Sequence, residues 1–271
     1  MELNLGSVQR TLLIPLWCRA KFTAANSSIL TDPKALEIVK NLDFDFEKID
    51  RNVPFFSSLM FLARANMLDE AIKSFISVHR NATIVNLGAG LDTTFFRIDN
   101  GLIRWFDIDL PDVAELRRKI IPDTERLHNI AGSIFDLKWV DDITPTQGGL
   151  LFISGGVFSY YREKMIKEFL SALAGGFPES ELVCDTLSKA GVFIANCGTR
   201  IKGLTSEPFY WGMKDANRMT KWDRRIVVVD QCPLFSGIKR ETRWSGTVKN
   251  ILNFSDRHRL ANIIHLKFCR S

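Results

Sequence analysis

Residues 82–111 read ATIVNLGAGLDTTFFRIDNGLIRWFDIDLP, and the order of side-chain types in this stretch decides the fold. Ala82 to Gly88 is dominated by aliphatic and β-branched residues with no helical period, which predicts a strand buried on both faces. The turn Gly88-Ala89-Gly90 ends it. Ile103 to Leu110 repeats the pattern as a second strand, and Pro111 stands where the first turn of a helix tolerates it. In that helix Val113, Leu116 and Ile120 form an apolar stripe. Strand, turn, strand and helix in this order begin a parallel α/β sheet.

Upstream, Phe61, Leu62, Ala65, Leu68, Ile72, Phe75 and Ile76 recur every three or four residues, which predicts a helix over Ser57 to His79. Downstream, GLLFISGGV (149–157) and ELVCDTL (181–187) predict further strands. Between them a helix runs from about Arg162 to Ala174, with Gly175-Gly176 as its stop. After residue 190 the rhythm weakens, but RIVVVD (225–230) and NIIHLKFC (262–269) read as strands that pair with each other. No repeat or low-complexity tract interrupts the chain. The expected organisation is an N-terminal helical extension over 1–80 and a core over 81–271, with an insertion at about 190–225.

Composition narrows the class. The chain has 271 residues, 46% hydrophobic and 25% charged, enough to bury a sizeable core and unlike a disordered or collagen-like chain. Its longest strongly apolar stretch, 148–158, is about half of the roughly 18 residues that a membrane-spanning helix needs. The N-terminus lacks the basic cluster and small-residue cleavage site of a signal peptide. Five scattered cysteines read as free thiols, so the expected compartment is the cytoplasm. Four histidines without ligand spacing give no reason to expect a metal. The formal charge is uneven, +9 over residues 199–271 and −4 over the rest. This suits a solvated basic surface better than a site for an anionic substrate or nucleic acid. Nucleic acid is disfavoured, because the aromatic and basic run 209–225 reads as a helix anchored by Trp211 and Trp222.

The glycine turn carries the chemistry. A glycine-rich turn between a buried strand and a helix brings backbone amides close to a ligand, and an acid at the end of the next strand can bind ribose hydroxyls. Asp109 lies 19 residues beyond Gly90, and Asp107 points the same way along the strand. A nucleoside is implied, in either a nicotinamide dinucleotide or S-adenosylmethionine. Thr93, where a third glycine is expected, counts against the dinucleotide. A phosphate loop is absent from the sequence, and Ser154 lacks the glycine that a nucleophile elbow requires.

NLGAGLDTTFFRI (86–98), IRWFDIDLPDVAELRRKIIPD (103–123) and LFISGGVFSYY (151–161) together resemble the leucine carboxyl methyltransferase family. More closely they resemble its branch of polyketide-type O-methyltransferases, the tetracenomycin type. Matches at 12–21, 29–46 and 210–226 extend the likeness over nearly the whole chain. The resemblance implies a Rossmann-like class I methyltransferase fold, with a seven-stranded, mostly parallel sheet whose last strand is antiparallel, and S-adenosyl-L-methionine at the carboxyl ends of the strands. It implies that Gly88 and Gly90 lie beneath the cofactor, that Asp109 holds its ribose and that Arg64 contacts the methionine carboxylate. Ile134, Phe135 and Asp136, in SIFD, would read the adenine, with helix capping the alternative for Asp136.

Two positions depart from the family pattern: Thr94 stands where relatives often carry arginine, and Gly155 stands where they carry a glutamate near the methionine end. The expected function is methyl transfer from S-adenosylmethionine to a carboxylate or hydroxyl of a small molecule. A relative that binds the cofactor without turnover and a nicotinamide oxidoreductase are the alternatives. No residue commits itself as a catalytic base. A carboxylate acceptor needs none, whereas a phenol, pKa about 10, would benefit from one. Tyr160, Tyr161, Trp17 and Arg19 are candidates to line the acceptor pocket.

Overall fold

The computed structural model describes residues 7–143, 145–146, 148–202, 207–242 and 244–270. Among the described residues four helices precede the first strand: α1 (Ser7–Ala24), α2 (Pro33–Asn41), α3 (Phe46–Asn52) and α4 (Phe55–Val78). Asp32 starts α2 by accepting a hydrogen bond from the Ala35 N–H, with Pro33 in the first turn. In α4 the face bearing Leu59, Leu62, Ala65, Leu68, Ile72 and Ile76 is buried, following the period read from the sequence.

The strands and remaining helices alternate as β1 (Thr83–Leu87), α5 (Thr94–Ile98), β2 (Arg104–Asp109), α6 (Pro111–Ile120), β3 (Leu127–Ala131), β4 (Leu150–Ser154), α7 (Glu163–Gly176), β5 (Glu181–Leu187), α8 (Lys189–Lys202), β6 (Ile226–Pro233), α9 (Gly246–His258) and β7 (Ala261–Phe268). They form one seven-stranded sheet in the order β3-β2-β1-β4-β5-β7-β6. β7 runs antiparallel to both β5 and β6, and the other strands share one direction. The sheet therefore has the architecture of the class I methyltransferase fold. One apolar core joins α1 to α4 with the face bearing Ile84, Trp105, Ile153 and Val183. The other packs α7 and the Trp139 and Trp211 segments against Val85, Phe106, Phe152 and Cys184.

Element ends differ from the sequence expectation for local reasons. β4 stops at Ser154 because Gly156, at φ 78°, turns the chain out of the ladder. Helix α7 continues through both glycines to Gly176 and is capped by Phe177, whose N–H bonds Leu173 O. Residues 190–225 open on the regular helix α8, and a short 3₁₀ turn, Ala216–Lys221, follows Trp211. Trp211 is buried beside Trp222, ring centroids 6.2 Å apart. Among the described residues no helix is long and apolar enough to cross a membrane.

Candidate active site

The carboxyl ends of β1, β2, β4 and β5 open into one cavity of about 840 Å³, at the edge of a parallel sheet where such folds bind ligands. Its floor is the turn after β1. Gly88 and Gly90 hold φ of 72° and 51°, a region that L side chains rarely adopt. A Cβ on Gly88 would lie 2.5 Å from Val157, so the backbone here sits against the end of β4 as only glycine allows. Asp109 closes the turn from the next strand, accepting from the N–H of Gly90 at 2.6 Å and of Leu110 at 2.8 Å. A carboxylate offers about four acceptor sites, so Asp109 keeps capacity toward the cavity it lines. Burial raises its pKa.

Beneath the turn, Arg117 donates to the carbonyls of Gly90 at 3.0 Å and Asp92 at 2.6 Å and pairs with Asp107. Asp107 shares a strand face with Asp109, but it is buried and also accepts from Trp105 Nε1 and Asn86 Nδ2, both at 2.8 Å. It supports the floor and does not line the cavity. Arg117 was not singled out from the sequence, yet the signal was present: it follows Val113 by four residues and so shares its buried face.

On the opposite wall stands Arg64 of α4, its guanidinium 5.4 Å from the centre of the Phe61 ring. It pairs with Asp185 of β5, Nη1 to Oδ2, at 3.4 Å. Asp185 also accepts from the Gly156 N–H. Arg64, Gly88, Gly90, Asp109, Ile134 and Gly155 all line the cavity. Phe135 and Asp136 are placed differently. Phe135 packs edge-on against Tyr161 and Phe169, behind the wall. Exposed Asp136 accepts from Lys138 N at 3.1 Å, at the start of a 3₁₀ turn. Neither is among the lining residues.

Tyr160 and Tyr161 line the cavity, and burial raises both phenol pKa values. Trp17 turns away to stack on Phe46 at 5.2 Å. Arg19 reaches the cavity but is engaged with Asp32 at 2.9 Å and Leu91 O at 2.8 Å. Desolvation works to raise the pKa of half-buried Asp92, but Arg19, Arg97 and Arg117 together hold it below the ordinary carboxylate range.

Comparison with known proteins sets relatives beside this geometry. The leucine carboxyl methyltransferase family model matches residues 13–138. Over 266 residues the chain is 26% identical to the tetracenomycin polyketide synthesis O-methyltransferase TcmP of Streptomyces glaucescens, covering 95% of this chain and 97% of that protein. The chain is therefore similar to the leucine carboxyl methyltransferase family over residues 13–138, and to TcmP over nearly its whole length. A second relative, the S-adenosyl-L-methionine-dependent methyltransferase dpfgK of Gibberella zeae, is 26% identical over 238 residues, 80% of this chain and 79% of its own. A solved structure from Thermobifida fusca YX, described as a candidate methyltransferase, shares the fold at 11% identity, with a TM-score of 0.59 over 93% of this chain and 94% of that one.

These similarities make the chain an S-adenosylmethionine-dependent methyltransferase and remove the nicotinamide alternative. The residues present fit that cofactor. The cradle at Gly88, which any side chain would fill, and the acceptor capacity of Asp109 suit a ribose. Arg64, which lines the same cavity, suits the carboxylate of an amino-acid end.

Proposed function

We propose that this methyltransferase methylates an oxygen, preferentially a carboxylate, of a small and largely apolar acceptor. Gly88, Gly90, Asp109, Ile134 and Gly155 would hold the nucleoside and sulfonium portions, with Arg64 on the methionine carboxylate and Phe135 backing Tyr161. Residues 1–80 would act as the wall that closes over them. The observation that carries the reading is the composition of the cavity. Its walls beyond the glycine turn are built from Leu12, Ile14, Val53, Phe56, Met60 and Phe61, an apolar surface supplied by the N-terminal helices. The resemblance to TcmP, an enzyme of polyketide synthesis, supports an acceptor of that kind.

The charged residues that line the cavity are Arg19, Arg64, Asp92, Asp109, Asp185 and Glu207, and no histidine, lysine or cysteine lines it among the described residues. S-adenosylmethionine, when bound, supplies a methyl group on a sulfonium. The chain itself has to align the acceptor oxygen with that methyl and exclude water. Tyr160 and Tyr161, kept protonated by burial, can donate hydrogen bonds to an acceptor but cannot take its proton at neutral pH. An acceptor that arrives already ionised needs no more than this.

The test is methyl transfer from labelled S-adenosylmethionine to a panel of apolar carboxylic acids and phenols, with products identified by mass spectrometry. Methyl esters are expected, at rates that are flat from about pH 6 to 9 because the acceptor is ionised throughout. Phenol ethers formed with a rate that does not fall about tenfold per unit below the phenol pKa would show a base that this reading denies.

A further inference from the structure

The end of the cavity facing α4 presents a positive and a negative side chain together, and only the positive one has been given a role. Ser154 of β4 pairs in register with Cys184 of β5. The next residues, Gly155 and Asp185, are therefore neighbours across the same two strands. Asp185 alternates with Val183 and Leu187, and Gly155 with Ile153, so both face the side of the sheet covered by α4. There Arg64 and Leu68 meet them: a Cβ built on Gly155 would lie 3.6 Å from Arg64 Nε and 3.0 Å from Leu68 Cδ1.

At this level of the sheet the strand β4 carries no side chain, and the acid stands one strand over. Its two oxygens are used unequally. Oδ1 is fixed by the Gly156 N–H, whereas Oδ2 has a single long contact, 3.4 Å, to Arg64. A carboxylate so oriented is positioned by the backbone and still open to a stronger cationic donor.

We propose that Asp185 holds the ammonium of the amino-acid end of the cofactor, with Arg64 on the carboxylate of the same zwitterion. This rests on the methyltransferase reading and adds a residue to it. The vacancy at Gly155 is then no loss of function: the negative charge reaches the same end of the cavity from β5. A zwitterion set against a fixed, partly buried pair of opposite sign makes two charge-assisted contacts, whereas a ligand lacking the ammonium leaves Asp185 facing the cavity without its partner.

Isothermal titration of the full chain with three probes tests it. They are S-adenosylhomocysteine, its desamino analogue, which keeps the carboxylate and lacks the ammonium, and 5′-methylthioadenosine, which lacks both. The wild-type chain is expected to bind S-adenosylhomocysteine at least tenfold more tightly than the desamino analogue. Asp185→Asn keeps an oxygen for the Gly156 N–H and removes the charge. It should erase that preference while leaving 5′-methylthioadenosine affinity within about twofold.

A wild-type chain that binds the two homocysteine analogues equally overturns the proposal without recourse to a variant. So does an Asp185→Asn protein that keeps the preference, or one that loses affinity for all three probes alike, the mark of a structural role. Folded wild-type protein that binds none of the three defeats the cofactor reading itself, a different failure from the loss of the ammonium preference alone.

Discussion

Asp109 and Gly88 separate what a side chain contributes from what its absence contributes. Asp109→Asn leaves one oxygen to serve two backbone N–H groups and turns a donor toward the cavity, so S-adenosylhomocysteine affinity should fall ten- to a hundredfold in calorimetry. The same residue sets a pH dependence. Burial raises its pKa, and ligand hydroxyls favour its ionised form. Affinity should therefore be constant above the raised pKa and decline as pH falls through it, with proton release on binding at the acid end. An inflection no higher than about 3.9, the ordinary aspartate value, would contradict this assignment. Gly88→Ala combines a positive φ with a Cβ 2.5 Å from Val157, whereas Gly101→Ala has φ of 81° with nothing within 4 Å. Urea denaturation should show about 1 kcal/mol lost at Gly101, from backbone strain alone, and about 2–3 kcal/mol at Gly88. Equal losses would mean that the close approach is relieved at no cost.

The elements are joined by charges that sequence reading could not pair. Asp32 caps α2, and its Oδ2 also accepts from Arg19 of α1 at 2.9 Å, from Arg97 of α5 at 2.7 Å and from Thr93. Arg97 makes a bidentate pair with Asp69 of α4 at 2.7 and 2.8 Å. Two buried acids, Asp32 and Asp69, thus fasten α1, α2 and α4 to the segment that follows the glycine turn. Asp32→Ala would strand Arg19 and Arg97 in the interior, and a loss of about 3–5 kcal/mol in chemical denaturation is expected, with Asp32→Asn intermediate. A loss under about 1 kcal/mol would show that the guanidinium groups find other partners. The difference between what was and was not legible follows the same line. Strands β1, β2, β4 and β5 were readable because burial on both faces writes itself as an apolar run. β3, LHNIA, was legible only through the family resemblance, since Asn129 is buried by bonding Ile121 O and Asp123 and gives no apolar signal. Asp109 and Gly90 were legible because their spacing is local, 19 residues in one β-α-β unit. Asp185 lies 121 residues from Arg64 and became a partner only through the register of β4 with β5.

At the scale of the molecule, the cavity is assembled from the whole length of the chain. Leu12 and Arg19 come from α1, Arg64 from α4, Asp109 from β2, Asp185 from β5, and Leu260 and Ala261 from the start of β7. The core on that side of the sheet is equally mixed, running from Leu13 through Leu62 and Ile84 to Ile263. An N-terminal extension that shares its core with the sheet cannot unfold without exposing that core. The boundary near residue 80 is then one of chain order and not of cooperativity. The ligand site vanishes with the first of these elements to leave, so cofactor binding is linked to the folding of all of them. S-adenosylhomocysteine at 100 times its Kd should raise unfolding free energy by about 2.7 kcal/mol, seen as one transition moved upward without change of slope. A biphasic unfolding curve, with only the later phase responding to ligand, would show that the helices before β1 detach while the sheet keeps its site. The apolar wall assigned to the acceptor would then be a separate, opening structure.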